Sequence, residues 1–230
     1  MEAVGTAFLV VFVPVLLVVS LIGMVRHKRR AKLRAAARAR RFKVNERADQ
    51  FANMFTIAPF GRGRHREVKD AIAGSIDGLD FLTMAYWYEE KSYGADGGSN
   101  ATTYRRQVTA IKTPRGLRPL AFTADSGLQR VLERWGLGEV DVDVESHAFN
   151  QRWRVACHDE GYARRALSPS VIAALVDAPE SVQHVIAEDG RLAVVHDSPA
   201  TDLEWLDETV RWLHTVPGGI PRFVLDDSQP

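Results

Sequence analysis

DFLTMAYWYEE, Asp80–Glu90, carries apolar or aromatic side chains on both of its alternating faces. A strand that is half in water would alternate cleanly, so this one is expected to be covered on two sides. SYGADGGSN follows as a long turn, and TTYRRQVTAIK from Thr102 reads as the antiparallel partner. Hairpin pairing here decides the fold class, because it leaves no room for the crossover helix of a parallel unit.

Further hairpins extend the pattern toward the C-terminus. Pro114 and Gly116 interrupt the chain before LRPLAFTA, another strand. Asp125 or Ser126 caps an expected helix bearing Leu128, Val131, Leu132 and Trp135, which Gly136 stops. EVDVDVE, Glu139–Glu145, alternates strictly, with valines to a core and four acids outward. FNQRWRV is expected as its antiparallel neighbour, placing Arg152 and Arg154 opposite those acids in a cross-strand ladder. Asp159 and Ser168-Pro169 mark two helix starts. SVQHVIAEDGRLAVVHDS is a hairpin turning at Asp189-Gly190. The last helix opens on a Thr201-to-Glu204 capping box and buries Trp205, Leu206, Val210, Trp212 and Leu213. Pro217-Gly218-Gly219 ends it. Strands and hairpins outnumber helices, which predicts an α+β domain, an antiparallel sheet covered by helices, at residues 67–217. Residues 218–230 read as a flexible tail.

Upstream of the domain the composition changes. Ala3–Val25 is 23 residues without an ionisable side chain, about 34 Å of helix, enough to cross a bilayer. Behind it, Arg26 to Lys43 holds ten Lys or Arg and no acid. The expected organisation is a transmembrane anchor at 1–25, a basic helical stalk at 26–50 and a linker at 51–66. The basic flank stays inside, which predicts a single-pass protein of the plasma (inner) membrane with its N-terminus outside and its domain cytoplasmic. A cleavable signal peptide fits less well, since the only charge before the apolar run is Glu2.

Charge is partitioned along the chain. Removing the ten basic residues and Glu2 from 30 Lys+Arg and 29 Asp+Glu leaves 20 against 28, so residues 44–230 carry net −8. An acidic domain argues against nucleic acid as a partner. The stalk is attracted to anionic phospholipid headgroups by about 1 kcal/mol per basic residue. Arg26, Lys28, Arg29, Arg30, Lys32 and Arg34 are the expected headgroup contacts. A sharper possibility is a switch, in which the acidic domain competes with lipid for the stalk.

Catalytic signals are weak. Cys157-His158-Asp159 cannot form a triad, because consecutive side chains of a strand point apart. Cys157 reads as a small core residue, and as the lone cysteine it excludes an internal disulfide. The acids from Glu139 to Glu145 stand about 7 Å apart along a strand, wide for one cation. The seven histidines lack metal-ligand spacing; His184 and His196 could meet across the last hairpin. No cofactor or metal is expected.

Phe149, Asn150, Trp153, Val155, Asp159, Ala163, Leu167 and Pro169 form a pattern that resembles an uncharacterised family of bacterial, largely actinobacterial, membrane-anchored proteins. Gly74, Gly78, Phe81, Tyr86 and Tyr88 resemble an upstream segment of the same family. The resemblance implies a membrane protein with a cytoplasmic α+β domain and supplies no catalytic residue. The leading reading is therefore a tethered domain that binds a protein partner. The alternatives are a tethered hydrolase-like enzyme using Cys157 or the acidic strand, and anionic-lipid sensing through the stalk.

Overall fold

The computed structural model describes residues 20–226 except 22, 26, 94–98, 125–138, 141–143 and 201. The apolar run 1–25 therefore lies almost wholly outside the described residues. Among those described, no helix is long and apolar enough to cross a membrane.

The hairpin anchored on Asp80–Glu90 is the centre of the molecule. Strand β3 (Leu79–Tyr93) pairs antiparallel with β4 (Ser99–Lys112) from Leu82↔Ala110 to Tyr93↔Ser99. On its other side β3 pairs with β2 (Arg64–Ile76). Asp77 and Gly78 close that hairpin with φ of 53° and 81°, the two positive values that a two-residue type I′ turn requires. With β1 (Lys43–Arg47) these strands make a meander of four.

A second group lies across a seam. The Asp189-Gly190 turn joins β8 (His184–Glu188) to β9 (Arg191–His196), as expected. β9 pairs with β4 from Gln107↔His196 to Lys112↔Arg191. Beyond β8 come β5 (Leu120–Thr123), β7 (Arg154–Cys157) and the two-residue β6 (Glu139–Val140). The described residues thus form one nine-stranded sheet, ordered β1-β2-β3-β4-β9-β8-β5-β7-β6, with every pairing antiparallel.

Apolar side chains are buried on both sheet faces, as the two-sided pattern of β3 requires. One face packs under helices: α1 (27–39), α2 (His147–Arg152), α3 (Glu160–Ala166), α4 (Pro169–Val176), α5 (Glu204–Leu213) and α6 (Arg222–Asp226). Leu33, Phe81, Phe149, Trp153, Leu175, Leu206 and Leu213 are among its buried residues. The other face is covered by residues 48–60. Phe55, Phe60, Tyr86, Tyr88 and Tyr104 run across it as a chain of rings, with successive centroids 4.6–5.7 Å apart.

Several expectations change. The stretch 51–66 was expected as a linker, yet Phe55, Ile57, Ala58 and Phe60 are in the core. Buried Glu188 accepts from the Thr56 backbone N–H at 2.7 Å and fixes the segment to β8. The expected helical stalk ends at residue 39. Arg41 takes φ 62°, and the bonds Phe42 N–H to Ala37 O and Arg41 N–H to Arg38 O close the helix as a left-handed cap. The chain then reverses into β1.

In FNQRWRV, Arg154 and Val155 open β7, which pairs antiparallel with β6 as expected (Val140↔Val155), with Trp153 already extended, whereas Phe149–Arg152 belong to the helix α2. Ser146 is its N-cap, accepting from the Phe149 N–H at 3.3 Å. Arg152 consequently meets carbonyls instead of the acidic strand. It donates to Ala178 O at 2.6 Å and Pro179 O at 2.7 Å, just past the C-terminus of α4. The Trp153 and Trp212 indoles donate to Leu175 O and Ala174 O at 2.8 and 2.7 Å, so three side chains satisfy carbonyls that the helix end leaves open. Of the acidic stretch, Asp141 and Asp143 lie outside the described residues, as does the helix expected from 125 to 136. Thr201, where the expected capping box opens, lies outside the described residues; Leu203 occupies the N-cap of α5 without a side-chain cap, and Asp202 Oδ1 accepts from the Glu204 N–H at 3.2 Å. The expected flexible tail contains α6, whose Val224 is fully buried.

Candidate functional site

The basic segment is the region where sequence and structure converge most closely. In HKRRAKLRAAARA, residues 27–39, Arg30, Leu33, Arg34 and Ala37 fall at helical spacing on one face. Leu33 and Ala37 enter the core beside Ile72, Ile76 and Phe81. Arg30 and Arg34 flank them and reach Asp70 of β2. Arg30 Nε lies 2.5 Å from Asp70 Oδ2, and Arg34 Nε lies 3.5 Å from Oδ1.

Asp70 is 3% exposed, and its backbone has φ 51° at an irregularity in the β2–β3 register between Lys69 and Ile72. An aspartate tolerates this left-handed conformation better than most residues. The bulge takes Asp70 out of the regular alternation of the ladder. A carboxylate so buried needs a cation, and the helix supplies two.

A second layer of charge surrounds the first. Arg34 also bonds Glu46 of β1, and Arg38 lies 3.4 Å from the same carboxylate. The hydrogen bond from Arg34 and its charge hold the Glu46 carboxyl below the ordinary range. Arg40 pairs with Asp207 of α5. The Trp87 ring carries Lys69 Nζ at 4.2 Å, Arg105 at 4.5 Å and Arg30 at 6.0 Å from its centroid.

The six expected headgroup contacts therefore divide. Lys28, Arg29 and Lys32 are exposed on the outer face of α1. Arg30 and Arg34 are instead occupied within the protein, because buried Asp70 and nearby Glu46 compete for them. Arg26 lies outside the described residues. Asp70, Glu46 and Trp87 were not anticipated as partners of this helix. The alternation of β2 would bury Asp70 beside Val68 and Ile72, and a lone acid at such a position was the available signal.

The other candidates do not assemble. Cys157 is buried in β7 with Sγ 3.5 Å from the Pro119 carbonyl, and burial pushes its thiol pKa up. His158 beside it is exposed, and Asp159 caps α3 by accepting from Tyr162 N–H at 2.9 Å. His184 Nδ1 lies 2.9 Å from Thr123 Oγ1, and its Nε2 lies 4.0 Å from Asp197. Among the described residues no three His, Cys, Asp or Glu side chains gather as a metal site.

The residues behind the family resemblance have structural roles. A Cβ on Gly74 would stand 2.4 Å from the Phe42 ring, which packs edge-on against Phe81. Asn150 donates to Val144 O at 2.7 Å, fixing the turn before α2.

No protein-family profile and no curated protein sequence matches this chain. A solved structure does, the crystal structure of the mycobacterial trehalose monomycolate transport factor A, TtfA. It is 13% identical, with a TM-score of 0.54, covering 84% of this chain and 95% of that one. At this identity the likeness establishes a shared fold, in a protein of an actinobacterial lineage.

Proposed function

We propose that this chain is a membrane-tethered accessory factor of transport, whose α+β domain engages a protein partner close to the bilayer surface. The observation that carries the reading is the packing of α1 into the domain. The apolar run ends at Val25, and Leu33 is already core. Eight helical residues span about 12 Å. In this reading the domain rests against the headgroups instead of standing off on a stalk.

Lys28, Arg29 and Lys32 on the outer face of α1 then meet anionic lipid, with Arg26 at the boundary. Each adds about 1 kcal/mol of attraction near the surface. The positive flank favours an N-terminus outside and a cytoplasmic domain at the plasma (inner) membrane. The fold shared with a transport factor supports transport as the process. An enzymatic reading through Cys157 has against it the burial of the thiol, its raised pKa and its contact with the Pro119 carbonyl.

Fractionation and complementation test the proposal together. Full-length protein should stay with membranes through alkaline carbonate extraction. A chain beginning at residue 27 should bind anionic vesicles at low salt and leave them as salt rises. Cys157→Ala, at an unchanged unfolding midpoint, should support cellular function fully. Recovery of the full-length chain in the soluble fraction would remove the tether, and loss of function in Cys157→Ala would replace the binding role with catalysis.

A further inference from the structure

The outer face of α4 lines an open groove of about 660 Å³. It lies beside Val144, which follows β6, the strand at the other end of the sheet order from β1. α4 reads PSVIAALV, in which Ser170 is the only polar side chain. A helix apolar all round belongs in a core, covered on every side. Here Val171 and Leu175 are buried, whereas Pro169, Ile172, Ala173 and Val176 face the groove. Those four recur at intervals of three and four residues, so they form one stripe along the helix. Pro169 and Ala173 are exposed, and Ile172 and Val176 are half-buried. Leu167 and Val144 add to the apolar lining.

Two carboxylates stand on the rim. Glu145 and Asp177 line the groove, and neither side chain makes an ion pair or hydrogen bond among the described residues. Arg164, a cation of the lining, bonds Glu160 of its own helix at 2.9 Å. Arg152 reaches the same end of α4, where its donors go to the carbonyls of Val176 and Ala178. The groove is thus apolar along α4, with unmatched acid at its rim.

We infer that this groove receives an amphipathic helix of a partner protein, which lays its apolar face on α4 and a flanking Lys or Arg against Glu145 and Asp177. Helices pack by setting the ridges of one into the grooves of the other, and the stripe from Pro169 to Val176 is such a surface. Ala173 in its middle leaves room for close approach. The acids disfavour an anionic lipid or a fatty acid. They also count against a second copy of this chain, which would bring four carboxylates to one seam. α4 is about 12 Å long, so the contact falls short of the roughly 1,000 Å² of a stable interface and the association is transient. The inference rests on the reading of the domain as a module that binds a protein, and on neither the tether nor α1.

The test uses the full-length chain in phosphatidylcholine nanodiscs, with its isoleucine methyl groups labelled. The probe is a helical peptide of about 16 residues, with Leu at i, i+3, i+4 and i+7 and Lys on both flanks. Control peptides carry Glu in place of Lys, or the same residues scrambled. The Lys peptide should bind saturably with Kd of about 10–100 μM. It should move the Ile172 methyl resonance and leave that of buried Ile72 in place. Ala173→Arg, at an exposed site, should weaken binding about tenfold or more, with the unfolding midpoint measured alongside. Glu145→Gln with Asp177→Asn should weaken it about threefold to tenfold and remove the preference for Lys over Glu. If Ala173→Arg does not fold, the Ile172 methyl of the native chain decides. Absence of saturable binding, equal binding of either control peptide, an unmoved Ile172 methyl or indifference to Ala173→Arg would overturn the inference. Saturable uptake of decanoate that Ala173→Arg blocks would overturn it in favour of an acyl chain. A concentration-dependent dimer that Ala173→Arg dissolves would give the groove to a second copy. Should carbonate extraction release the chain, the same titration runs in buffer, so the tether and the groove fail separately. Loss of function in Cys157→Ala removes the binding role itself and is read without the peptide.

Discussion

Asp70 shows how one buried charge can organise a surface. It sits 3% exposed in a strand, and desolvation of an unpaired carboxylate there would cost several kcal/mol. Two arginines one helical turn apart supply the counter-charge, so a helix rich in cations acquires a single preferred face. Asp70→Asn keeps the shape and removes the charge. Because Arg30 is about one-third exposed and can rehydrate, the expected loss is about 1–3 kcal/mol, read as a lower urea midpoint with unchanged slope. A midpoint within error of the parent would mean that Leu33 and Ala37 hold the helix unaided.

At the scale of elements, the first turns decide. β2 turns into β3 through Asp77-Gly78, and β1 approaches β2 only because Gly74 leaves room for Phe42. Gly74→Ala should destabilise the domain by about 1–3 kcal/mol, since its methyl meets the Phe42 ring. Adding Phe42→Leu should recover part of that loss, a coupling that a double-mutant cycle measures. Elements defined by strong local patterns were legible beforehand. The β3–β4 hairpin, the Asp189-Gly190 turn and the caps at Asp159 and Ser168 all carry their signals within a few residues. Where competing signals overlapped, reading failed. FNQRWRV alternates like a strand, and its end is one, in β7; but Ser146 lies at an N-cap position, and local capping took Phe149–Arg152 into a helix. Residues 51–66 contain Pro59, Gly61 and Gly63, which masked Phe55, Ile57 and Phe60; only a sheet face waiting to be covered gives those aromatics their place. The latch on α1 was half legible. The cations were plain, whereas their partner needed a strand register that no local pattern specifies.

For the whole molecule, the boundary of the folded unit moves. The domain expected to begin near Glu67 begins within α1, since Leu33, Ala37, Ala48 and Phe55 belong to its two cores. A chain starting at residue 67 loses β1, the cover over the aromatic face and both cations of Asp70. It should show no cooperative urea transition and weak near-ultraviolet circular dichroism, while a chain starting at residue 27 should unfold in one step. Cooperative unfolding of the shorter chain would return residues 27–66 to the status of an appendage.

The seam between β4 and β9 has a consequence in time. β1 to β4 are neighbours in sequence and can pair as they leave the ribosome. The edge of β4 from Gln107 to Lys112 must wait for Arg191 to His196. At about 5–20 residues per second, those intervening residues take roughly 4–16 s to make. Throughout that interval a strand edge bearing Val108, Ala110 and Ile111 stands open to any other chain, so crowded synthesis, more than heat, is the condition under which this fold is most exposed to aggregation.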